Sequence, residues 1–403
     1  MKILFLTDNF PPEVNAPANR TFEHCVEWVN QGMDVTVITC FPNFPQGKVY
    51  EGYKNKLLKI EIIEGIRVIR VWTFITANEG FIKRTCDYIS YSIISFLVGL
   101  FIKTDRIIAT SPQFFTALSG RWLSFFKRRP WIFEVRDLWP ESIVAVGAMK
   151  RNFIIRLFEK LEIRLYKNAD KIIVVTDSFK NKIIEKGIPS SKIFVHKNGA
   201  NLKLYKPIEK NKQLESELHL VGKKVFAYIG THGMAHGLDF ILNSIKKIQK
   251  THPEIHFLFI GDGAEKNNLL KQKEELKLSN VTMLSSVSKQ EVVEYLSLMD
   301  YALVNLRKND TFLHVIPSKI FEAAAMKKPI LLGLEGETKK IIQQFNAGIC
   351  FEPENELDFI DKIEKIIDVN IQEDLKIGCE KLAIEFDRNL IARNMLEDLK
   401  KNK

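Results

Sequence analysis

Cysteine is scarce and scattered. The five residues at 25, 40, 86, 350 and 379 form no CxxC or other close spacing and are odd in number. That excludes a disulfide framework and a zinc-ribbon arrangement, and it points to a reduced, cytosolic compartment. Long apolar runs are missing as well. The longest uncharged stretch, "YISYSIISFLVGLFI" at 88–102, has 15 residues, short of the roughly 20 needed to cross a bilayer. The N-terminus "MKILFLTDNFPP" offers only a six-residue apolar run before an aspartate and paired prolines. Such a run is too short for the core of a secretory signal, so a strand is expected there. No segment is of low complexity, and no RNA- or DNA-binding motif appears.

What is present is a 403-residue chain, 46% hydrophobic and 27% charged, globular in composition and long enough for two domains. Its net charge of +10 is uneven. Residues 1–200 carry 29 Lys+Arg against 19 Asp+Glu, and the remainder carries 30 of each. A basic first half suggests an anionic partner: nucleic acid, a phosphorylated substrate or an anionic membrane surface. The bases are interspersed with apolar helix faces, as in "FIIRLFEKLEIRLYKNADK". That interleaving favours membrane or phosphate over nucleic acid, with a solvated basic face as the plain alternative.

Apolar runs alternate with helix-period segments throughout. In the first half the strand candidates are "KILFLT", "DVTVIT", "IRVIRVWT", "RIIAT", "WIFEV" and "KIIVVT". Several are apolar almost without interruption, as expected of parallel strands buried on both faces. Helical periodicity is clearest at 17–31, 82–103, 151–168 and 177–186. After a lysine-rich stretch near 200–222 the alternation restarts with "VFAYIG", "IHFLFIG", "VTML", "YALVNL", "PILLG" and "GICF". The pattern predicts an α/β architecture of two Rossmann-like, doubly wound domains facing a cleft, over 1–200 and 201–385. A C-terminal helix at 386–403 is expected to pack back on the first domain.

In open parallel sheets ligands bind beyond the carboxyl ends of strands, and two loops in that position stand out. The first, "YIGTHGMAHGLDF" at 228–240, leads from a strand into a helix expected near residue 237. Gly230, Gly233 and Gly237 permit close backbone approach, and helix N-termini attract anions. A phosphate cradle, a metal site on His232 and His236, and a mere turn all remain open, although no HExxH and no nearby carboxylate cluster completes a metal shell. The second loop, "IPSKIFEAAAMKKPIL" at 316–331, places Lys319 in the first turn of a helix, where a cation opposes the dipole unless a phosphate accompanies it. Glu322, three residues on, shares its face and can accept hydrogen bonds from vicinal hydroxyls. An ordinary capping box with Ser318 as cap and an exposed lysine accounts for the same residues.

Taken together, "NGANLKLYKP", "YIGTHGMAHGLD", "FIGDGAEKNNL", "NVTMLSSVSKQEVVEYLSLMDYALVNL" and "PSKIFEAAAMKKPIL" resemble the donor-binding half of glycosyltransferase family 4, retaining GT-B enzymes that use nucleotide sugars. "FPPEVNAPANR" and "FEVRDLWPES" are similar to a bacterial subgroup that builds O-antigen and capsule glycans, including N-acetyl-L-fucosamine transferases. The resemblance covers nearly the whole chain. It implies that the first domain binds the acceptor and the second the nucleotide sugar, that Glu322 holds the nucleotide ribose, and that Ser318 and Lys319 lie at the diphosphate and sugar. It further implies that the loop at 285–287, with Val287, meets the base through its backbone, and that Gly261 and Gly263 let the nucleotide approach. Asn15 and Ala16 stand where a glycine pair is usual, between the first strand and first helix, facing donor phosphates and acceptor.

Three positions depart from the pattern. Thr231 and His236 replace the usual Arg and Lys of the phosphate loop, which makes His236 the expected substitute cation. His314 stands in place of the first glutamate of the Glu-x7-Glu signature, and Arg136, followed by Asp137, replaces a histidine near the sugar. The implied chemistry is departure of a nucleoside diphosphate, UDP by expectation, without a bound metal or cofactor. The acceptor hydroxyl then attacks from the same face, and protein groups supply position and charge. Candidate catalytic or orienting groups are Glu13, Arg136, Asp137, Glu141 and Lys319, with Asp137 foremost. The implied acceptor is an undecaprenyl-diphosphate-linked saccharide, possession of which would place a cytoplasmic, peripheral protein on the anionic inner-membrane surface through Lys83, Arg84, Lys103, Lys127, Arg128 and Arg129. In that setting the segment 88–102 is expected to be a buried helix of the sheet. Two other functions fit the same layout: a UDP-N-acetylglucosamine 2-epimerase-like isomerase, and a non-catalytic assembly partner that binds nucleotide.

Overall fold

The structure, a computed structural model, describes residues 1–44, 46–76, 81–111, 114–145, 152–288 and 291–401. It divides into two compact units, Met1–Lys197 with Arg388–Lys403, and Asn198–Asp387.

Unit 1 holds an eight-stranded sheet. Its strands are β1 (Lys2–Leu6), β2 (Asp34–Cys40), β3 (Leu58–Ile63), β4 (Ile66–Val71), β5 (Arg106–Thr110), β6 (Trp131–Val135), β7 (Lys171–Val174) and β8 (Ile193–Val195), in the order β3-β4-β2-β1-β5-β6-β7-β8. All neighbours are parallel except β3 and β4, which pair antiparallel from Leu58↔Val71 to Ile63↔Ile66. Strands β1, β2, β5 and β6 are buried almost end to end, which is why their sequences read as unbroken apolar runs. Two strands escaped that reading. β3 is an edge whose residues alternate between exposed and half-buried, so its "LKIEII" shows period two. β8 has only three residues.

The final helix, Arg388–Lys400, belongs to unit 1. It lies against helix Ala16–Asn30, where Trp28 Nε1 donates to the Ala392 carbonyl at 2.8 Å and Arg388 pairs with Glu23 at 2.6 Å. Ala392, Met395, Leu396 and Leu399 complete the core formed by Phe5, Trp28, Val35 and Val37. The chain thus passes between units at 197/198 and 387/388.

Unit 2 carries a six-stranded, all-parallel sheet. It consists of β9 (Lys224–Ile229), β10 (Ile255–Ile260), β11 (Val281–Leu284), β12 (Tyr301–Asn305), β13 (Ile330–Gly333) and β14 (Gly348–Cys350), in the order β11-β10-β9-β12-β13-β14. The order reverses between β9 and β12 here, and between β1 and β5 in unit 1, so the loops beyond those strand ends are where a ligand is to be sought.

The uncharged segment 88–102 departs from expectation. It forms most of helix Phe81–Gly99, and Ile89, Ile93 and Leu97 are exposed, as is Phe101 just beyond it. Among the described residues no helix is long and apolar enough to cross a membrane.

Candidate functional site

The site is assembled at the strand ends of unit 2. Past β9, Gly230 donates its N–H to the Ile260 carbonyl at 2.8 Å and His232 to that of Asp262 at 2.9 Å. The loops after β9 and β10 therefore run side by side. Gly261, at φ +148°, is required by this closeness, since a Cβ there would fall on the Gly230 carbonyl oxygen. Gly233 differs: its φ is −112° and a Cβ would come no closer than 3.6 Å to other atoms, so no neighbour within the chain demands a glycine.

Residues 234–236 form a single 3-10 turn, and Gly237, left-handed at φ 57°, opens helix Leu238–Thr251 without a side-chain cap. Asn305, the last residue of β12, and Arg307, two residues beyond it, fix this turn. Asn305 Nδ2 donates to the His236 carbonyl at 2.8 Å and Arg307 Nε to that of Met234 at 2.9 Å. Arg307 also clasps Asp239 through both carboxylate oxygens at 2.8 Å, removing the one acid of that helix's first turn from competition for an anion. The sequence reading passed over both residues, although Asn305 lies within the strand "YALVNL" and Arg307 directly follows it.

Lys319 begins helix Lys319–Ala325. Its ammonium is inaccessible to solvent, has no hydrogen-bond partner, and lies 3.8 Å from the centroid of the Tyr228 ring. Burial pulls its pKa down to about 7, against which Glu322 acts weakly in the opposite sense. The capping-box alternative thus fails in both parts: Ser318 makes no side-chain cap and the lysine is not exposed. A Cβ at Gly230 would meet the Lys319 ammonium at 2.8 Å, so that glycine keeps open the approach to the charge. Glu322 lies half-buried in the first turn.

Tyr228 organises more than the lysine. Its hydroxyl donates to the Thr231 carbonyl at 2.8 Å, and the rings of His236 and His232 sit 5.8 and 5.9 Å from its own. Burial and the Lys319 charge hold His236 down at about 4. Burial, with Lys266 and Lys319, does the same to His232, opposed by Asp262. Both rings are therefore neutral at pH 7. Burial thus works against the expectation that His236 supplies the missing cation: a histidine beside an unneutralised ammonium is the less basic of the two. His232 is fully buried with neither ring nitrogen hydrogen-bonded. Among the described residues no group of three His, Cys, Asp or Glu is placed to hold a metal ion.

The remaining candidates of unit 2 take modest positions. Thr231 is exposed and Val287 half-buried on the core. The loop at 285–287 is pinned where Ser286 donates its N–H to Asp262 Oδ2 at 2.7 Å. Lys289 and Gln290 of the same motif lie outside the described residues.

In unit 1 the candidates are largely occupied by structure. Asn15 was expected to face donor phosphates. Its Oδ1 caps helix Ala16–Asn30 at Ala18 N, 2.8 Å away, and its Nδ2 donates to Asn9 Oδ1 at 2.7 Å. Glu13 accepts the N–H groups of Asn43 and Phe44 on one oxygen, at 2.8 and 2.9 Å. Asp137 accepts from Ser142 Oγ at 2.8 Å, and Glu141 pairs with Lys182 at 2.6 Å. Arg136 donates from Nη1 to the Pro17 carbonyl at 3.2 Å. Burial lowers its pKa to about 10, helped by Arg20 and Arg388 and opposed by Glu134.

A residue unnoticed in the sequence sits at the strand-order reversal of unit 1. Asp8 follows β1 by two positions, and its Oδ1 is buried without a hydrogen-bond partner, as is Oε2 of Glu13. Burial, then Asp87, then Glu13 raise the Asp8 carboxyl well above its ordinary range. Asp87 itself is pushed up to about 6, chiefly by burial. A carboxyl whose folded pKa is raised favours folding below its unfolded pKa, near 3.9, and loses that advantage as pH rises through the folded value. Asp8→Asn is therefore expected to be more stable than the parent at pH 8, with the gain shrinking towards pH 4 in urea titrations. A variant that loses stability at pH 8 would mean that Asp8 is ionised and paired.

Comparison with known proteins adds to this geometry. Residues 15–199 match the family described as Glycosyl transferase 4-like domain, and residues 209–378 the family described as Glycosyl transferases group 1. The chain is 26% identical over 369 residues, 88% of its length and 89% of the relative's, to WcaI of Escherichia coli K12, a protein assigned to colanic acid biosynthesis as a glycosyl transferase. Among solved structures, Anabaena HepE in complex with UDP and glucose is similar at TM-score 0.73 and 16% identity, covering 100% of both chains. Sucrose-phosphate synthase from Thermosynechococcus elongatus is similar at TM-score 0.77 and 16% identity, covering 99% of this chain and 98% of that one.

Proposed function

We propose that this chain, whose two halves each match a glycosyltransferase family model and whose fold is GT-B, is a family 4 enzyme that transfers a sugar, with retention, from a nucleoside-diphosphate sugar to a lipid-linked glycan acceptor in surface-polysaccharide assembly. The observation that carries the donor reading is the Lys319 ammonium, buried and without a counter-charge in hydrogen-bond contact, beside glycines and an uncapped helix N-terminus. An isolated buried cation is costly to maintain, and a diphosphate supplies what it lacks.

In the proposed reaction the bond between the anomeric carbon and the β-phosphate oxygen breaks, and the electron pair leaves with the diphosphate. Lys319 and the N–H groups at the start of helix Leu238–Thr251 stabilise that charge. The acceptor hydroxyl bonds to the anomeric carbon on the same face, and its proton passes to the departing phosphate oxygen. Glu322 is assigned to the ribose hydroxyls, and no metal or cofactor is required. The complexes of HepE with UDP support uridine as the base. The donor sugar is assigned to the hexoses or N-acetylated amino sugars, as in the fucosamine transferase type, and the acceptor carrier to undecaprenyl diphosphate. The positive excess lies wholly in unit 1. That charge supports peripheral attachment to the cytoplasmic face of an anionic membrane through Lys83, Arg84, Lys103, Lys127, Arg128 and Arg129.

Thermal-shift titration with a panel of UDP-sugars tests the donor reading. A true donor at 100 times its dissociation constant stabilises by about 2.7 kcal/mol. Because Lys319 is charged below pH 7 and must gain a proton above it, affinity should fall as pH rises from 6 to 9, approaching tenfold per unit. A UDP-sugar diphosphate does not titrate there. Flat affinity across this range, or a decline only near pH 4, would remove Lys319 from the phosphate.

A further inference from the structure

The expected attachment in unit 1 was electrostatic, but the structure exposes apolar surface where the bases lie. Ile89, Ile93 and Leu97 fall at i, i+4 and i+8 on helix Phe81–Gly99, so they form one stripe, and they are 39%, 53% and 47% exposed. Phe101, two residues past the helix, is 87% exposed. On the adjoining helix, Phe114–Lys127, Trp122, Phe125 and Phe126 are all more than half exposed and pack on one another with ring centroids 5.5 to 6.4 Å apart.

The two helices form one built surface. Ser92 and Ser119 share a hydrogen bond of 2.9 Å, and Phe96 meets Phe126 at 5.7 Å. Lys127 Nζ closes on the Leu100 carbonyl at 2.9 Å. Exposed aromatics held this firmly are not loose ends of a flexible loop, and a contiguous apolar patch of this kind marks an interaction surface.

Charge selects the occupant. Residues 114–130 contain Arg121, Lys127, Arg128 and Arg129 and no acid, while Lys83, Arg84 and Lys103 flank the first stripe. A second copy of the chain would bring the same bases against themselves, and like charges at an interface oppose association. An anionic bilayer offers both hydrocarbon and opposite charge. Tryptophan and phenylalanine ringed by lysine and arginine are the composition that settles at the headgroup and acyl boundary.

We propose that Trp122, Phe125, Phe126 and Phe101 insert into the acyl boundary of an anionic leaflet while the surrounding bases hold its headgroups. This deepens the membrane attachment proposed above and rests on it. Insertion, unlike charge contact, leaves a salt-resistant component of binding.

The test uses the full chain and vesicles of phosphatidylcholine with 30% phosphatidylglycerol, roughly the anionic fraction of a charged leaflet. Sedimentation in low and high salt is combined with Trp fluorescence against lipids brominated along the acyl chain. The expected result is binding that weakens in high salt without vanishing, and quenching that disappears in Trp122→Phe. The double change Trp122→Ser with Phe126→Ser should abolish the salt-resistant part, roughly a tenfold loss of partition or more. Binding that vanishes in high salt, with no bromine quenching, would overturn insertion and leave charge docking standing. A dimer in ultracentrifugation that the double change dissolves would also overturn it, assigning the patch to a second copy. UDP-sugar thermal shifts on the same samples separate these outcomes from failure of the donor reading, because the exposed substitutions leave unit 2 untouched.

Discussion

Lys319→Met is expected to lower kcat/KM for the nucleotide-sugar donor by about 10²- to 10³-fold while raising the melting temperature. The two effects have one cause. The ammonium sits under the Tyr228 ring with no hydrogen-bond partner, so folding forces a charge out of water with only that ring and the Glu322 charge to offset it, and the lowered pKa records the net cost. Between pH 7 and the unfolded lysine value near 10.4 the unfolded chain binds the additional proton, so stability rises with pH across that window. Methionine removes the burden and fills similar volume. With donor present the balance reverses, because each hydrogen bond from the ammonium to phosphate is worth roughly 1.5 to 3 kcal/mol, and two such bonds near the lower end of that range give the stated loss. Calorimetry and donor-dependent kinetics on one preparation decide the matter. Lower stability with specific activity intact would make the lysine a structural element.

Gly261→Ala should cost about 3 kcal/mol or more of unfolding free energy, a magnitude reached when backbone must move. The Cβ would fall on the Gly230 carbonyl, and no side chain can rotate away to relieve the clash. Either the loops after β9 and β10 part, breaking the Gly230–Ile260 and His232–Asp262 hydrogen bonds, or the alanine is held at φ +148°, where L-residues are strained. Gly233→Ala is the companion control and should stay within about 1 kcal/mol, since the added methyl meets only ordinary contacts. Urea unfolding of both variants tests the pair, and equal effects would contradict the asymmetry of the loop.

The sheets were readable because buried parallel strands leave an almost wholly apolar trace, as in "IHFLFI" of β10, where every residue is buried. β3 was not, because an edge strand packs one face only and its alternation resembles a polar connector. At the site, the strand-end rule located Lys319, Gly261 and the loop of His236. It could not foresee that Lys319 turns inward onto Tyr228, which depends on a ring from a strand 91 residues earlier. Burial likewise decided protonation: the same histidine that is cationic in weak acid when solvated is neutral beside a buried ammonium. Asn15 and Asp137 read as ligand-facing, but Asn and Asp also make helix caps and tight turns, and the structure shows that local demand met at both. The apolar run 88–102 misled in the opposite direction, since composition carries no record of which stripe of a helix its neighbours leave uncovered.

The return of the last helix to unit 1 sets the order in which the molecule can be finished. Phe5, Trp28, Val35 and Val37 emerge from the ribosome within the first tenth of the chain, yet the residues that cover them, Ala392 to Leu399, are made last. All of unit 2 is synthesised in between, and its ends, Ala200 and Asp387, pair with each other. Unit 2 can therefore close before unit 1 is sealed. During that interval the first-made core has an open side, so a chain that stops or is cut shortly before residue 388 keeps a complete second unit and a first unit lacking its cover.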